Sequence, residues 1–393
     1  MIEKWKESVN SGGAFGALMT DLSKAFDCLH HELLIAKLDA YGFDIKSVKL
    51  IQQYLSNRKQ RVKVGNAYSS WKDIFYGIPQ GSILGPLIFN IFLCDLFYFL
   101  EGVAVASYAD DTTPYTANKT NDLVIKEIEH FSEVLFKWFD FNYMKMNSGK
   151  SHILFSGNAN VSANIDNHTI ISENKNELLG IILDSKLSFE DHINNLCKKA
   201  SQKLNALARI APYMCLKKRK TVMKAYIASQ FGYCPLVWMF HSRSLNNKIN
   251  SLHERALRIT YGDRSSSFEN LLKKDNSVSI HHRNIQALAT EMFKVKNNIA
   301  PEIMKELFAP KMSSYDLRNK NSFKRRRVKS VWHGTESVSY LGPKIWDLVP
   351  NEIKESESLN GFKFKINRWV PEGCPCRICK IYLGQVGFIV TKN

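Results

Sequence analysis

The sequence lacks three features that would place it in other protein classes. It has no low-complexity tract and no internal repeat, which argues against disordered and solenoid chains. Its most apolar run, from Leu87 to Leu100, is shorter than the roughly 20 residues of a membrane-spanning helix and contains Asn90 and Asp95. We therefore predict a buried core helix at this run and no membrane partner.

Cysteines are scattered rather than arranged as a disulfide framework. Five of the eight lie in apolar or helical-looking contexts: Cys28, Cys94, Cys197, Cys215 and Cys234. Their placement predicts buried free thiols in a reducing compartment. The other three, Cys374, Cys376 and Cys379, are tightly spaced. A tetrahedral zinc site needs a fourth ligand and no His or Cys follows them, so zinc binding is left open.

Acidic residues are scarce in the second half of the chain. Residues 1–190 hold 18 basic and 22 acidic residues, a net charge of −4. Residues 191–393 hold 36 basic and 15 acidic residues, a net charge of +21. This asymmetry suggests that the basic half grips a polyanion and the other half processes it.

The most informative motif is Tyr108-Ala-Asp-Asp111. Adjacent carboxylates raise each other's pKa and resist joint ionisation. A divalent cation bound between them usually offsets this repulsion. Asp21 ends another apolar strand, Gly16–Thr20, and is a candidate third ligand. Oxygen ligands without histidine favour Mg²⁺ over zinc. The three aspartates are therefore the predicted metal ligands, and solvated turn carboxylates are the alternative.

Five ordered blocks around these aspartates resemble the reverse transcriptases of non-LTR (LINE-type) retrotransposons. The blocks are Asp21–His31, Gly77–Leu87, Tyr108–Asp111, Trp138 with Asn147–Lys150, and Leu178–Asp184. Similarity continues through Tyr233–Trp238 and Gly342–Trp346, and so covers nearly the whole chain. The resemblance implies an RNA-directed DNA polymerase that adds dNTPs to the 3′-hydroxyl of a DNA primer on an RNA template.

The resemblance implies two-metal-ion catalysis with Mg²⁺, Mn²⁺ being an alternative. Asp21 and Asp110 would be the principal metal ligands and Asp111 would assist. Lys150 would be the acid for the departing pyrophosphate.

The resemblance also implies four contacts with substrate. Phe26 would be the plate under the incoming sugar that excludes a 2′-hydroxyl. Gln80 and Gly81 would contact the incoming nucleotide and the template, and Tyr108 would pack against the primer end. Without the resemblance, Phe26 would be interpreted as a core aromatic and the Pro-Gln-Gly turn would carry no functional information.

Two further segments are expected to contact nucleic acid. Leu179 and Gly180 would lie in a strand pair that positions the primer. A basic cluster between two thumb helices would contact the phosphate backbone, and its members are Lys217, Lys218, Arg219 and Lys220. The run Lys324–Lys329 is a nucleic-acid arm, a nuclear-import signal or plain surface charge on an exposed linker.

The predicted fold class is α+β, with helices on one face of an antiparallel sheet. We expect a right-hand polymerase palm with partial fingers in residues 1–190 and a helical thumb in residues 191–265. A basic, mainly helical C-terminal region would follow in residues 266–393, with the Cys cluster at 374–379. Beyond the Asp pair, a stripe of five apolar residues predicts one face of a long amphipathic helix: Val124, Ile128, Phe131, Leu135 and Trp138.

In such polymerases a longer part of the fingers subdomain precedes the first catalytic aspartate, and an endonuclease domain usually precedes the fingers. With that aspartate at position 21, we expect an N-terminally truncated chain. Two alternatives stay open: a catalytically inactive nucleic-acid-binding remnant of such an element, or another template-dependent polymerase such as an intron maturase or a telomerase-like enzyme. The expected location is the nucleus, or the cytoplasm as a ribonucleoprotein, while protein partners are not indicated.

Overall fold

A computed structural model describes residues 1–157, 161–165, 168–311 and 322–379. The chain divides into two compact units. The first comprises Met1 and residues 12–178, and the second comprises residues 2–11 and the chain from Leu179 onward. Among the described residues, no helix is both long enough and apolar enough to span a membrane.

Helix α1 (Ile2–Asn10) belongs to the second unit. The first unit then alternates strands and helices: β1 (Ala14–Met19), α2 (Ala25–Cys28), α3 (His31–Ala40), α4 (Ile45–Leu55), β2 (Lys59–Gln60), β3 (Lys63–Val64), β4 (Ala67–Tyr68), β5 (Lys72–Asp73), α5 (Gly85–Leu93), α6 (Leu96–Phe99), β6 (Ala104–Tyr108), β7 (Asp111–Asn118), α7 (Asn121–Phe141), β8 (His152–Phe155), β9 (Ser162–Ile165), β10 (His168–Glu173) and β11 (Lys175–Leu178).

The first unit is built on a six-stranded sheet in the order β6-β7-β1-β8-β10-β9. Its strand pairs are antiparallel except β8 and β10, which run parallel. All six residues of β1 are buried, because β1 lies between β7 and β8. The predicted α+β class with a central antiparallel sheet is confirmed, and the one parallel pair is a departure from it.

Helix α7 covers one face of this sheet. Thr120 caps its N-terminus by accepting a hydrogen bond from the Leu123 N–H. The predicted stripe is confirmed, because all five of its residues are at most 2% exposed. A side chain at Gly16 of β1 would overlap Ile128, so glycine allows α7 to approach the strand closely. Each large apolar side chain buried here stabilises the unit by about 1.5–3 kcal/mol.

The prediction of one buried helix from Leu87 to Leu100 is wrong in two respects. The segment divides into α5 and α6, and Leu87 and Tyr98 are 56% and 79% exposed. At the junction, the Lys37 ammonium donates to the Phe92 carbonyl at 3.0 Å and to the Asp95 carboxylate at 2.8 Å. A tertiary contact from α3 therefore engages the backbone where the two helices meet.

The five cysteines that were predicted to be buried free thiols are free, but their burial differs from the prediction. Cys94, Cys215 and Cys234 are exposed. The Cys94 thiol donates to the carbonyl of Asn90 one turn earlier, so it is satisfied without core packing.

Apart from β12 (Ile181–Asp184) and an isolated β-bridge between Pro310 and Phe323, the regular secondary structure in the described part of the second unit is helical, as predicted. After α1, its helices are α8 (Glu190–Ile210), α9 (Leu216–Val222), α10 (Pro235–Trp238), α11 (Arg243–Tyr261), α12 (Phe268–Asp275), α13 (Ile280–Lys296), α14 (Glu302–Leu307), α15 (Val338–Leu348), α16 (Asn351–Lys354) and α17 (Leu359–Ile366). Short 3₁₀ and π turns lie at Ala211–Tyr213, Met223–Ile227, Ala228–Phe231 and Val331–Thr335.

The basic run Lys324–Lys329 lies outside helices and strands, and Lys324, Arg325, Arg327 and Lys329 are exposed, as predicted, but two of its arginines form ion pairs within the second unit. Arg325 pairs with Asp347 of α15 at 2.7 Å, and Arg326 pairs with Glu7 of α1 at 2.6 Å. The preceding Phe323 is buried. Residues 312–321 of the predicted linker lie outside the described residues.

The turn Gly77–Gly81 is docked on the segment that contains α2. The Gly77 N–H donates to Leu29 O at 2.7 Å, and the Ile78 N–H donates to Phe26 O at 2.8 Å. Gly77 has φ +83°, and a Cβ there would lie 2.9 Å from backbone atoms of Asp27. Glycine is therefore required at this position both for its φ angle and for the close approach.

We expect Gly77→Ala to destabilise the protein by about 2–4 kcal/mol, since a left-handed residue costs about 1–2 kcal/mol and overpacking adds a similar amount. The matched control is Gly102→Ala. Gly102 has φ +80° but nothing within 4 Å of an added Cβ, so only the backbone cost applies. Urea unfolding of the two variants measures the difference, and equal midpoints would show that the docking contact is not tight.

Candidate active site

The register between β1 and β7 brings the first and second aspartate motifs together. Ala17 pairs with Tyr115, and Thr20 forms a bridge with Thr112. The Thr20 N–H and hydroxyl both donate to Thr112 O, at 3.2 and 2.7 Å. Extending this register by one residue places Asp21 opposite Asp111, with both side chains on the same face.

Asp110 lies in the two-residue turn of the β6–β7 hairpin. Tyr108 and Asp111 are the last pair of that hairpin, and Ala109 has φ +51°, in the left-handed region. The tight turn holds Asp110 next to Asp111 at the strand end. Tyr108 is 69% exposed at the same hairpin end.

The three carboxylates act on one another electrostatically. The pKa of Asp111 is raised above its ordinary value, first by burial, then by the negative charge of Asp110 and then by that of Asp21. The site is still open to solvent, because 36% of the Asp21 side chain is exposed. The structure therefore brings together the three aspartates that the sequence singled out, in an accessible position.

Lys150 joins this group through the segment before β8. The Asn147 N–H donates to Asp21 O at 2.8 Å, and the Asp21 N–H donates to the Ser151 hydroxyl at 3.4 Å. Residues 148–150 form one 3₁₀ turn between these anchors. The turn places the Lys150 ammonium 3.7 Å from an Asp21 carboxylate oxygen, with most of the lysine side chain in solvent.

Phe26, Gln80 and Gly81 lie on two segments that hydrogen bonds hold together. Phe26 is half-buried and stacks on Phe89 of α5, with ring centroids 4.5 Å apart. The Gln80 amide donates to the Asp27 carboxylate at 2.9 Å. Gly81 is exposed with φ +79°, and nothing lies within 4 Å of an added Cβ.

Sequence reasoning missed two residues that join these segments. Asp27 accepts the hydrogen bond from Gln80, and the His31 ring hydrogen-bonds Gly77 O at 2.7 Å. Both residues lie inside the block Asp21–His31, and this position in the sequence could have marked them as candidates.

Leu179 and Gly180 do not lie within strands, contrary to the prediction. Both have positive φ, +48° and +80°, and they form the turn between β11 and β12. The Tyr233 hydroxyl donates to Leu179 O at 2.7 Å and fixes the turn within the second unit.

The basic cluster Lys217–Lys220 lies within α9, whereas the sequence predicted a position between helices. The four residues differ in whether their side chains are free to contact a ligand. Lys217 and Lys218 are exposed, but the Arg219 guanidinium donates to Met214 O at 3.1 Å. Lys220 lies 3.9 Å from the Asp275 carboxylate and 4.9 Å from the centroid of the Tyr261 ring.

Comparison with known proteins agrees with this geometry. The family model described as reverse transcriptase (RNA-dependent DNA polymerase) matches residues 4–185, which include all three aspartates and Lys150. The match covers 182 residues, which is under half of the chain. Members of this family generally use divalent metal ions.

Curated proteins similar to this chain come from mobile elements. The RNA-directed DNA polymerase from mobile element jockey of Drosophila melanogaster is 28% identical over 262 residues, which is 63% of this chain and 28% of that protein. Its counterpart from Drosophila funebris is 28% identical over 264 residues, with 62% and 28% covered. The matches thus span under a third of those relatives' length. They confirm the resemblance to non-LTR reverse transcriptases.

Solved telomerase structures also match. Apo telomerase from Candida tropicalis is 13% identical, with 69% of this chain and 46% of that chain covered and a TM-score of 0.37. The likeness is too weak to transfer contacts or roles.

We expect Asp111→Asn to stabilise the metal-free protein at neutral pH. The raised pKa of Asp111 means that the folded protein holds this proton more tightly than the unfolded chain does. Stability contributed by protonated Asp111 is therefore lost as pH rises from about 3.9, the ordinary aspartate value, through the folded value. The variant avoids that loss, so its advantage should shrink as the pH falls through the folded pKa of Asp111 and should be gone at about 3.9.

Thermal melting in EDTA between pH 4 and 8 measures this effect. The matched control is Glu101→Gln, which removes one carboxylate from an exposed turn of the same unit. An equal gain in both variants would show that overall charge, rather than crowding at Asp111, sets the stability.

Proposed function

We propose that this chain is an RNA-directed DNA polymerase of a non-LTR retrotransposon. It would add dNTPs to the 3′-hydroxyl of a DNA primer on an RNA template. The observation that carries the proposal is the convergence of Asp21, Asp110 and Asp111 at one end of β1 and β7, where their charges interact. The family match over the same residues supports it.

The donor set at this site fits divalent cations, and we propose two Mg²⁺ ions, with Mn²⁺ as a substitute. The three aspartates offer only carboxylate oxygens, which are the ligands that Mg²⁺ prefers. The crowding that raises the pKa of Asp111 would be relieved by positive charge between the carboxylates. When bound, such ions activate the 3′-hydroxyl and neutralise the triphosphate.

Each carboxylate has a role in holding the reacting groups. Asp21 and Asp110 come from different strand ends and would be the principal ligands, while Asp111 assists. The 3′-oxygen bonds to the α-phosphorus as the bond from that phosphorus to the bridging oxygen breaks. Lys150, whose ammonium lies 3.7 Å from Asp21, would give a proton to the departing pyrophosphate.

The substrate contacts proposed from the sequence rest on the segments around Phe26 and Gln80. Phe26 would exclude a 2′-hydroxyl, and its stack on Phe89 would keep the ring in place. Gln80 and Gly81 would contact the incoming nucleotide and the template. Tyr108 at the exposed hairpin end would pack against the primer.

Nucleic-acid contacts in the second unit are proposed for the turn Leu179–Gly180 and for α9. Lys217 and Lys218 are exposed and suited to bind phosphates. Arg219 and Lys220 already make contacts within the unit, so we assign them a supporting role. A nuclear location remains part of the proposal.

We expect Asp110→Ala to lower primer extension at least about 100-fold, because loss of a metal ligand forfeits several kcal/mol of transition-state stabilisation. The assay is dNTP incorporation on an RNA template with Mg²⁺. Glu101→Gln serves as the control and should keep wild-type activity. Wild-type protein that binds primer–template but incorporates nothing at any concentration would indicate an inactive remnant instead.

We expect Phe26→Ala to raise the ratio of rNTP to dNTP incorporation at least about tenfold, since removing the ring opens space for a 2′-hydroxyl. Single-nucleotide extension with each substrate measures the ratio. Phe99→Leu is the control, since it removes an exposed ring of the same unit that has no proposed contact with substrate. An unchanged ratio in Phe26→Ala would place the sugar elsewhere.

A further inference from the structure

The second unit contains a buried cluster of sulfur and nitrogen ligands that the polymerase site does not use. His281 of α13, Cys376 and Cys379 have ligand atoms that all lie within 4.8 Å of one another. The three side chains are at most 9% exposed. The sequence shows the cysteines but not their partner, because His281 precedes Cys376 by 95 residues.

The geometry inside this cluster matches what a tetrahedral zinc ion requires. The His281 Nε2 atom lies 3.3 Å from the Cys376 Sγ atom. Zinc–nitrogen and zinc–sulfur bonds of about 2.0 and 2.3 Å would put such atoms about 3.5 Å apart. Cys376 and Cys379 have the C-x₂-C spacing of structural zinc sites. The Cys379 N–H also donates to Cys376 Sγ at 3.4 Å, which favours a thiolate.

Cys374 is the candidate for the fourth ligand that the three clustered groups lack. It is 1% exposed, lies two residues before Cys376, and is close enough to Cys376, Cys379 and His281 for these side chains to influence its pKa. A closed set of three sulfur atoms and one nitrogen is a common composition of structural zinc sites. Buried polar groups of this kind are otherwise costly, whereas a metal ion satisfies all four together.

We propose that His281, Cys374, Cys376 and Cys379 bind one structural Zn²⁺ ion. Each thiol gives up its proton on binding, and the imidazole binds through Nε2. The ion ties the segment after α17 to α13, so it stabilises the core of the second unit rather than taking part in nucleotide transfer. The site stands independently of the proposed polymerase activity.

The test uses the full chain, purified without a metal-affinity tag from zinc-supplemented cells. Elemental analysis should find about one zinc ion per chain, and zinc K-edge absorption should show three sulfur and one nitrogen neighbours. Wild-type protein that contains no zinc, or a mass lower by two hydrogens that shows a disulfide within the cluster, would overturn the proposal.

Paired variants identify the ligands. His281→Gln and Cys376→Ser should each lower the zinc content at least about tenfold. The neighbouring His282→Gln and the distant Cys94→Ser should keep it. Full zinc content in His281→Gln, or its loss only in His282→Gln, would refute the ligand assignment. The absorption spectrum of the wild-type chain decides the matter if His281→Gln does not fold.

Discussion

Repulsion among three carboxylates is the constraint on which the first unit depends. The register of β1 against β7 sets Asp21 opposite Asp111, and the hairpin turn adds Asp110 beside them. The pKa of Asp111 is raised first by burial and then by the charges of Asp110 and Asp21. A single buried side chain of α7 contributes about 1.5–3 kcal/mol, and the stripe contains five. Apolar packing behind the sheet therefore opposes the electrostatic repulsion at the strand ends.

Backbone hydrogen bonds also bring sequence blocks that are far apart in the chain next to one another in the first unit. Backbone hydrogen bonds from Gly77 and Ile78 to the α2 segment align Phe26 with the turn that bears Gln80. Asn147 and Ser151 anchor the Lys150 segment to the backbone of Asp21. Main-chain contacts thus fix the spacing of these segments, while the side chains of Phe26 and the three aspartates stay partly accessible to solvent.

Local patterns predicted the parts of this structure that local physics determines. The stripe on α7 follows from helical period, and the aspartates follow from their places at strand ends. Features that depend on tertiary contacts were missed. Lys37 reaches the junction of α5 and α6 from 55 residues away, and the Tyr233 hydroxyl secures the turn at Leu179. The contact of His281 with the cysteine cluster was missed for the same reason. The two lie 95 residues apart in the chain, and sequence spacing does not indicate contacts over such a separation.

The charge of the second half limits what internal pairing can achieve. Some basic side chains are neutralised, as in the pairs of Lys274 with Asp263 and Arg325 with Asp347. Residues 191–393 nevertheless contain 36 basic and only 15 acidic residues. Even complete one-to-one pairing would leave 21 cations, and burying unpaired charge is prohibitively costly. Most of that excess must therefore face solvent or a bound polyanion, and this charge supports the nucleic-acid contacts proposed above.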